Sequence, residues 1–340
     1  MNIRLPAEWE QQDGILLAWP HPATDWNEQL AATQTVYCDL IRQITRFERV
    51  LLTTPDPESA KQQLLAQGVA LEQVTFAAVA TNDTWTLDYG PITVLLNNQP
   101  VLLDFGFNGW GLKFAANLDN QVSRTLKQQG ALQPRLNTIG LVLEGGRIES
   151  DGCGTLLTTS ACLLSPNRNP QLSKEELEGA MQNLFGAARV LWLEHGHLEG
   201  DDTDAHIDTL VRLCPNDTII YVACDDPDDP HYPALQQMEQ QLQQFTSTSG
   251  APYRLLALPW PSPKYDGNGN RLPASYANYL VINDAVLVPT YRDPVDNGAL
   301  AMIALAFPGR EIIGIDCLPL IEQHGSLHCI TMQLPAGVLP

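Results

Sequence analysis

Near the carboxyl end of the chain, Cys329 lies between the turn Gly325-Ser326 and a β-prone run, 330–334. A cysteine becomes a strong nucleophile as the thiolate, which requires an electropositive, partly open setting with a base nearby. More often a free cysteine is a small buried apolar group, and this stretch alone favours that reading. A second stretch, Asp201-Asp202-Thr203-Asp204-Ala205-His206-Ile207-Asp208, carries four carboxylates and a histidine. If the chain is extended from Ala205 onward, alternation places His206 and Asp208 on one face. A base beside an orienting carboxylate suits proton transfer. The competing readings are a solvated acidic turn or a calcium-type loop, but the spacing and closing glutamate of an EF-hand are missing. Two further stretches place carboxylates at strand ends. Glu144 precedes Gly145-Gly146, where paired glycines permit close backbone approach or a tight hairpin. Trp85 and Asp88 precede Gly90-Pro91, a site of chemistry or a turn with a packed tryptophan.

Together these stretches supply one candidate nucleophile, one His/Asp pair and two more carboxylates. Carboxylates around a thiolate oppose its formation unless the substrate is a cation. Guanidinium fits: it is planar, stays protonated at neutral pH, and matches carboxylates by paired hydrogen bonds. Once bound, it stabilises the thiolate that attacks its central carbon.

The elements that must position these residues read as alternating strands and helices. Strands are expected at 14–19, 50–54, 74–80, 92–96, 101–105, 140–143 and 154–158. Later ones are expected at 190–193, 218–223, 254–258, 279–282, 286–288 and 312–315. Helices are expected at 26–47, shortly after Pro57, at 173–185, 232–245 and 295–307. Ser173 and Glu176 have the spacing of a capping box. A recurring unit of strands plus one helix, with helices near 28, 58, 173, 233 and 295, supports a mixed α/β fold. No stretch reads as an interdomain linker, so 1–340 is read as one catalytic domain.

Composition narrows the function. The 340 residues are 44 % hydrophobic and 17 % charged, as in a globular enzyme, with a formal net charge of −20. That charge argues against nucleic acid as partner, because binding phosphates takes basic patches. No apolar run approaches a membrane span, and the start Met1-Asn2-Ile3-Arg4 has no apolar core of a signal peptide. Seven cysteines without a CxxC pair fit reduced thiols in the cytoplasm, with no metal spacing among them.

The chain resembles the agmatine deiminase and bacterial (Porphyromonas-type) peptidylarginine deiminase family of the guanidino-group-modifying, or pentein, superfamily. The resemblance rests on Pro6-Ala7-Glu8-Trp9-Glu10, Ala18-Trp19-Pro20, Asn82-Asp83-Thr84-Trp85, Asp88-Tyr89-Gly90-Pro91 and Leu143-Glu144-Gly145-Gly146. It continues with Asn167-Arg168-Asn169-Pro170, the run Asp201 to Asp208, Gly314-Ile315-Asp316-Cys317, and His328-Cys329-Ile330-Thr331. It implies a five-bladed pseudo-symmetric α/β propeller with the site on its axis. Carried over, Cys329 is the nucleophile, His206 the general acid and base, Asp88 and Asp208 the guanidinium-gripping carboxylates, and Glu144 a further active-site acid. Trp85, Asp202, Trp110 and Asp293 are candidate substrate contacts, Trp110 in Gly109-Trp110-Gly111 and Asp293 in Tyr291-Arg292-Asp293.

The implied reaction converts a guanidino to a ureido group with release of ammonia, without metal or organic cofactor. Agmatine is the expected substrate, and a homo-oligomer is compatible with the family. Free arginine, peptidyl-arginine or another guanidine, an idle guanidine-binding scaffold, and a metal-binding regulator stand as alternatives. One departure is Leu87, where the family commonly carries arginine.

Overall fold

Five times along the chain, a short strand is joined to an antiparallel neighbour, which a helix then connects to a third, parallel strand. The computed structural model describes residues 2–340. In one unit Ile92–Leu96 pairs antiparallel with Gln99–Gly106, which runs parallel to Leu136–Val142; Ile3–Arg4 adds to its free edge. The next three are Glu149–Ser150, Thr155–Thr159, Arg189–Leu193; Val211–Cys214, Thr218–Val222, Arg254–Leu258; and Leu280–Ile282, Ala285–Thr290, Glu311–Asp316. The fifth unites the two ends of the chain. Met332–Pro335 lies antiparallel to Gln12–Ala18, which continues in parallel to Arg49–Thr54 and Val74–Ala78. A separate hairpin pairs Lys264–Tyr265 with Arg271–Leu272.

Parallel neighbours need a crossover, and helices provide it. They are Leu30–Ile44, Val122–Gln128, Lys174–Phe185, Tyr232–Leu242 and Asp296–Ala306, with Pro57–Ala66 serving the extra strand of the end-joining unit. The expected unit count is therefore right for a partly wrong reason. The helix after Pro57 is an addition, and the crossover at Val122–Gln128 escaped notice. Its seven residues, VSRTLKQ, bury only Val122, Ser123 and Leu126, too few to show a helical period. The Ser173/Glu176 capping box is present, contributing about 1 kcal/mol to helix stability.

The third, parallel strands tend to be the more exposed. Val211–Cys214 and Leu280–Ile282 are buried throughout, whereas the outer strands Val74–Ala78 and Glu311–Asp316 alternate with exposed positions. The strands around Leu141 and Leu156 lie in different sheets. The glycine-bearing segment between them thus passes from one unit to the next and is no hairpin. Among the described residues, no helix is long and apolar enough to cross a membrane.

Candidate active site

Every residue singled out for chemistry at the centre lies just ahead of a first strand. Asp88 precedes Ile92–Leu96, Glu144 to Gly146 precede Glu149–Ser150, His206 and Asp208 precede Val211–Cys214, and Cys329 precedes Met332–Pro335. The fifth unit supplies Asn278, ahead of Leu280–Ile282, a residue the sequence reading passed over. These segments touch one another. The Leu87 amide donates to Cys329 O at 3.3 Å, and the Gly146 amide to Asp88 Oδ1 at 3.0 Å. Ser275 Oγ donates to Thr209 O at 2.6 Å, and Asn278 Nδ2 lies 3.2 Å from Cys329 Sγ.

Gly146 is the point of convergence. A Cβ there would lie 2.5 Å from His206 Nδ1 and 3.2 Å from both Asp208 Oδ1 and Asp88 Oδ1. Only a residue without a side chain lets the three groups approach one another. Gly146→Ala should therefore displace His206 while sparing the fold. We expect kcat/KM to fall on the order of a hundredfold, as for other sub-ångström to ångström misplacements, with little change in melting temperature. An unchanged rate would show that His206 needs no such placement.

The expected geometry of the His/Asp pair is corrected. Residues 207–209 form a 3-10 turn rather than an extended strand, with His206 at its start. His206 and Asp208 are both fully buried, and both ring nitrogens of His206 and Oδ1 of Asp208 have no hydrogen-bond partner among the described residues. Such atoms cost about 1–3 kcal/mol each, a penalty a bound ligand can relieve. His206 Nδ1 stands 3.7 Å from Asp88 Oδ1.

Cys329 is 5 % exposed. Asn278 Oδ1 accepts from the amides of His328 (2.9 Å) and Cys329 (3.3 Å), which turns its Nδ2 toward Cys329 Sγ and toward Asp208 Oδ2 at 3.0 Å. That amide is a donor ready for a thiolate. Asp208 Oδ2 is 3.7 Å from the same sulfur.

A cavity of about 490 Å³ reaches Cys329 and Asp88, with His206, Asp208 and Asn278 behind its lining; Trp85, Trp110 and Asp202 also line it, with Asp25, Asp83, Lys113 and His324. Trp85 packs on Trp26 with ring centroids 5.4 Å apart, and a Cβ on Gly325 would lie 2.1 Å from its ring. Trp110 sits at φ +53° and donates from Nε1 to Asp88 Oδ2 at 2.9 Å. Asp202 lies at the rim, where Lys113 Nζ binds its carbonyl oxygen at 2.6 Å and Asp204 Oδ1 at 2.7 Å.

Two expectations are corrected. Asp293 is not a lining residue; its carboxylate is taken by Lys264 Nζ at 2.8 Å and the Ser262 amide at 3.0 Å. Glu144 does not line the cavity either. It is fully buried between Arg147 Nη1 at 2.8 Å and Arg168 Nε at 3.1 Å, and acts on the site through its charge. The acidic run does not gather into a cation loop. Asp201 accepts from the Thr203 and Ala205 amides, Asp204 pairs with Lys113 and Arg168, and Asp208 faces the sulfur. Leu87 is buried and borders a separate cavity of about 90 Å³ with Glu8 and Met332; its backbone contact to Cys329 does not depend on the side chain.

The charges in this space are unbalanced. Burial, reinforced by Asp208 and Glu144, pushes the Asp88 carboxyl up to about 8 despite its two donors. Burial, then Asp208 and Asp88, push the Cys329 thiol well above its ordinary value. Burial, then Arg147 and Arg168, hold His206 neutral far below its usual range. Asp88 forms no ion pair with lysine or arginine among the described residues. The site is arranged for a cation that comes and goes.

Comparison with known proteins decides the family. Residues 4–335 match the model of the Porphyromonas-type peptidyl-arginine deiminases. The chain belongs to this family. A C. jejuni agmatine deiminase in a cysteine-to-serine form, solved with substrate bound, superposes on this deiminase-family chain with a TM-score of 0.93. It is 36 % identical, over 100 % of this chain and 98 % of the other. A structure described as "Putative Arginine Deiminase" from Porphyromonas gingivalis is 44 % identical with a TM-score of 0.93, over 100 % of both chains. The agmatine deiminase of Pseudomonas fluorescens is 31 % identical, over 98 % of this chain and 95 % of the relative.

Proposed function

We propose that this protein is an agmatine deiminase-type hydrolase, turning the guanidino group of agmatine into the ureido group of N-carbamoylputrescine with release of ammonia. The observation that carries the reading is the convergence of a thiol, a neutral imidazole and two carboxylates about Gly146, with Asp88 and Cys329 opening onto the cavity and Asp88 holding no lysine or arginine among the described residues. A guanidinium between Asp88 and Asp208 supplies that charge. At ~4 Å in an effective dielectric of ~20, a unit charge contributes about 4 kcal/mol, enough to lower a nearby thiol pKa by about 3.

The chemistry follows from these positions. On substrate binding the Cys329 thiol yields its proton to His206, and the thiolate adds to the guanidinium carbon. Asn278 Nδ2 donates to the sulfur before attack and steadies Asp208. The imidazolium returns its proton to the departing amino group, and the carbon–nitrogen bond breaks to give ammonia and an S-alkylthiouronium. His206, neutral again, takes a proton from water as the oxygen adds to the same carbon. The carbon–sulfur bond breaks as the added hydroxyl gives up its proton, leaving the neutral ureido product; the imidazolium returns its proton to the sulfur to restore the thiol, and the remaining proton leaves with the ammonia as ammonium. Asp88 and Asp208 face the cationic guanidinium and thiouronium while these are bound.

The far end of the substrate distinguishes agmatine from arginine. Asp25, Asp83 and Asp202 line the outer cavity. Burial and the charge of Asp25 push the Asp83 carboxyl up to about 7, so a cation there is welcome. Lys113, the cation able to receive an α-carboxylate, is already bound to Asp204. The likeness to the P. gingivalis structure makes arginine the second reading. Ammonia release with agmatine, arginine and a blocked peptidyl-arginine, measured side by side, tests the assignment. We expect kcat/KM for agmatine to exceed the others by at least tenfold; a preference for arginine would transfer the assignment to it.

The five repeated units support a five-bladed propeller arrangement, with one catalytic domain spanning 1–340. The seven free cysteines support a reducing, cytoplasmic setting.

A further inference from the structure

We propose that His328, held as an imidazolium between Glu8 and Asp208, is a positioning residue of the deiminase site and that Glu8 is its counter-ion. The inference rests on the deiminase reading for its meaning, but its geometry stands independently. His328 Nδ1 lies 2.8 Å from Asp208 Oδ2, and Nε2 lies 2.8 Å from Glu8 Oε1. Each ring nitrogen thus faces a carboxylate oxygen. A neutral imidazole has one donor and one acceptor nitrogen and leaves one of these contacts repulsive; only the doubly protonated ring satisfies both.

The remaining charged neighbour of the ring is Arg212, which opposes its charge and is itself held by the glutamates. Arg212 Nη2 is 3.3 Å from Nε2 and itself pairs with Glu8 and Glu149, while its Nη1 donates to Ala277 O and Tyr279 O at 3.0 and 2.7 Å. Two cations and two glutamates therefore interleave beneath the site, with His206 and Cys329 in electrostatic range. Burial and Arg212 oppose the charge on His328, yet Glu8 and Asp208 push it up to about 9. The reciprocal effect holds the Glu8 carboxyl down to about 2 against the cost of burial, through Arg212 and His328. The ring itself is 2 % exposed, whereas the Glu8 side chain is 23 % exposed to the smaller cavity.

The consequence for catalysis lies in Asp208. Its Oδ2 is anchored by His328 and Asn278, which leaves Oδ1 unpartnered and aimed at the point shared with His206 and Asp88. When His328 loses its proton, one of its two carboxylate contacts turns repulsive. Asp208 is then free to rotate or to pair elsewhere, and the grip on guanidinium loosens. Removing Glu8 brings that loss to lower pH, because the raised pKa of His328 depends on it.

The test is the titration of His328 followed by NMR on the histidine-labelled protein, assigned with His328→Gln, beside the pH profile of ammonia release. In the wild type, His328 should stay protonated through neutral pH and titrate near 9. In Glu8→Gln its proton affinity should drop at least roughly tenfold, and the alkaline limb of kcat/KM should move down by the same interval. KM should rise more than kcat falls, and Glu8→Asp should restore the wild-type limb. A merely structural Glu8 would change the melting temperature and leave the limb in place, which would overturn the proposal. Titration of wild-type His328 below pH 7 would overturn it too, and that measurement needs no variant to fold. If no guanidine releases ammonia, the deiminase reading fails by itself, and the NMR shift still decides whether Glu8 holds the charge on His328.

Discussion

Cys329→Ala is expected to leave the chain folded and to lower ammonia release by at least about 10⁴-fold, because the nucleophile has no substitute in the site. The thiol is small and buried, so its removal leaves a modest void and the melting temperature should move only slightly. Substrate binding should survive, since on the proposed reading Asp88 and Asp208 grip the guanidinium and Trp85 and Trp110, which line the cavity, remain in place. Incubating the wild-type enzyme with agmatine and quenching in acid should trap an adduct on Cys329, found by mass spectrometry on the peptide containing it. Turnover by the alanine variant above a hundredth of wild type, or an adduct on another cysteine, would remove Cys329 from the role.

The second large effect is expected at His206. Replacing it with asparagine keeps a polar side chain beside Gly146 but removes the proton carrier, which typically costs 10²–10⁴-fold in kcat. The loss should be larger than for Gly146→Ala, which moves the imidazole without deleting it. In the proposed mechanism His206 serves both half-reactions, so the variant that still forms the thiouronium should hydrolyse it slowly. Rapid quenching ought to reveal more covalent adduct at steady state than in wild type. The pH profile should also lose the limb that belongs to the imidazole. Full activity in His206→Asn would show that another group, with Asp208 the nearest candidate, carries the proton.

The two effects separate different features of the structure. Cys329 depends on being near a donor, Asn278, and a bound cation. His206 depends on being kept neutral by burial and by the charges of Arg147 and Arg168, between which Glu144 lies. A change at Glu144 is therefore felt at His206 and Asp88 through the field, without contact with substrate.

Much of this was readable from residue type and local order. A cysteine beside a turn, a His/Asp pair before an apolar strand, and a glycine pair after a strand each announce a position at a strand end. Side-chain alternation and turn residues are local properties of the chain. The requirement for a cation follows from counting carboxylates around a thiol. Those inferences needed no coordinates.

Tertiary structure alone decided the partners. Asn278 is 51 residues from Cys329, Asp208 is 121 and Glu8 is 320 from His328, so no spacing rule joins them. By residue type and neighbours, Asp293 is a candidate substrate contact and Glu144 a candidate active-site acid. Packing gave the first to Lys264 and enclosed the second between two arginines. The protonation states likewise depend on burial and on charges brought in from other units. The chain alone thus determined which chemical groups the protein owns and that they stand at strand ends. Folding determined which of them meet and which are neutralised, because Coulomb energy and desolvation depend on distance in space rather than along the sequence.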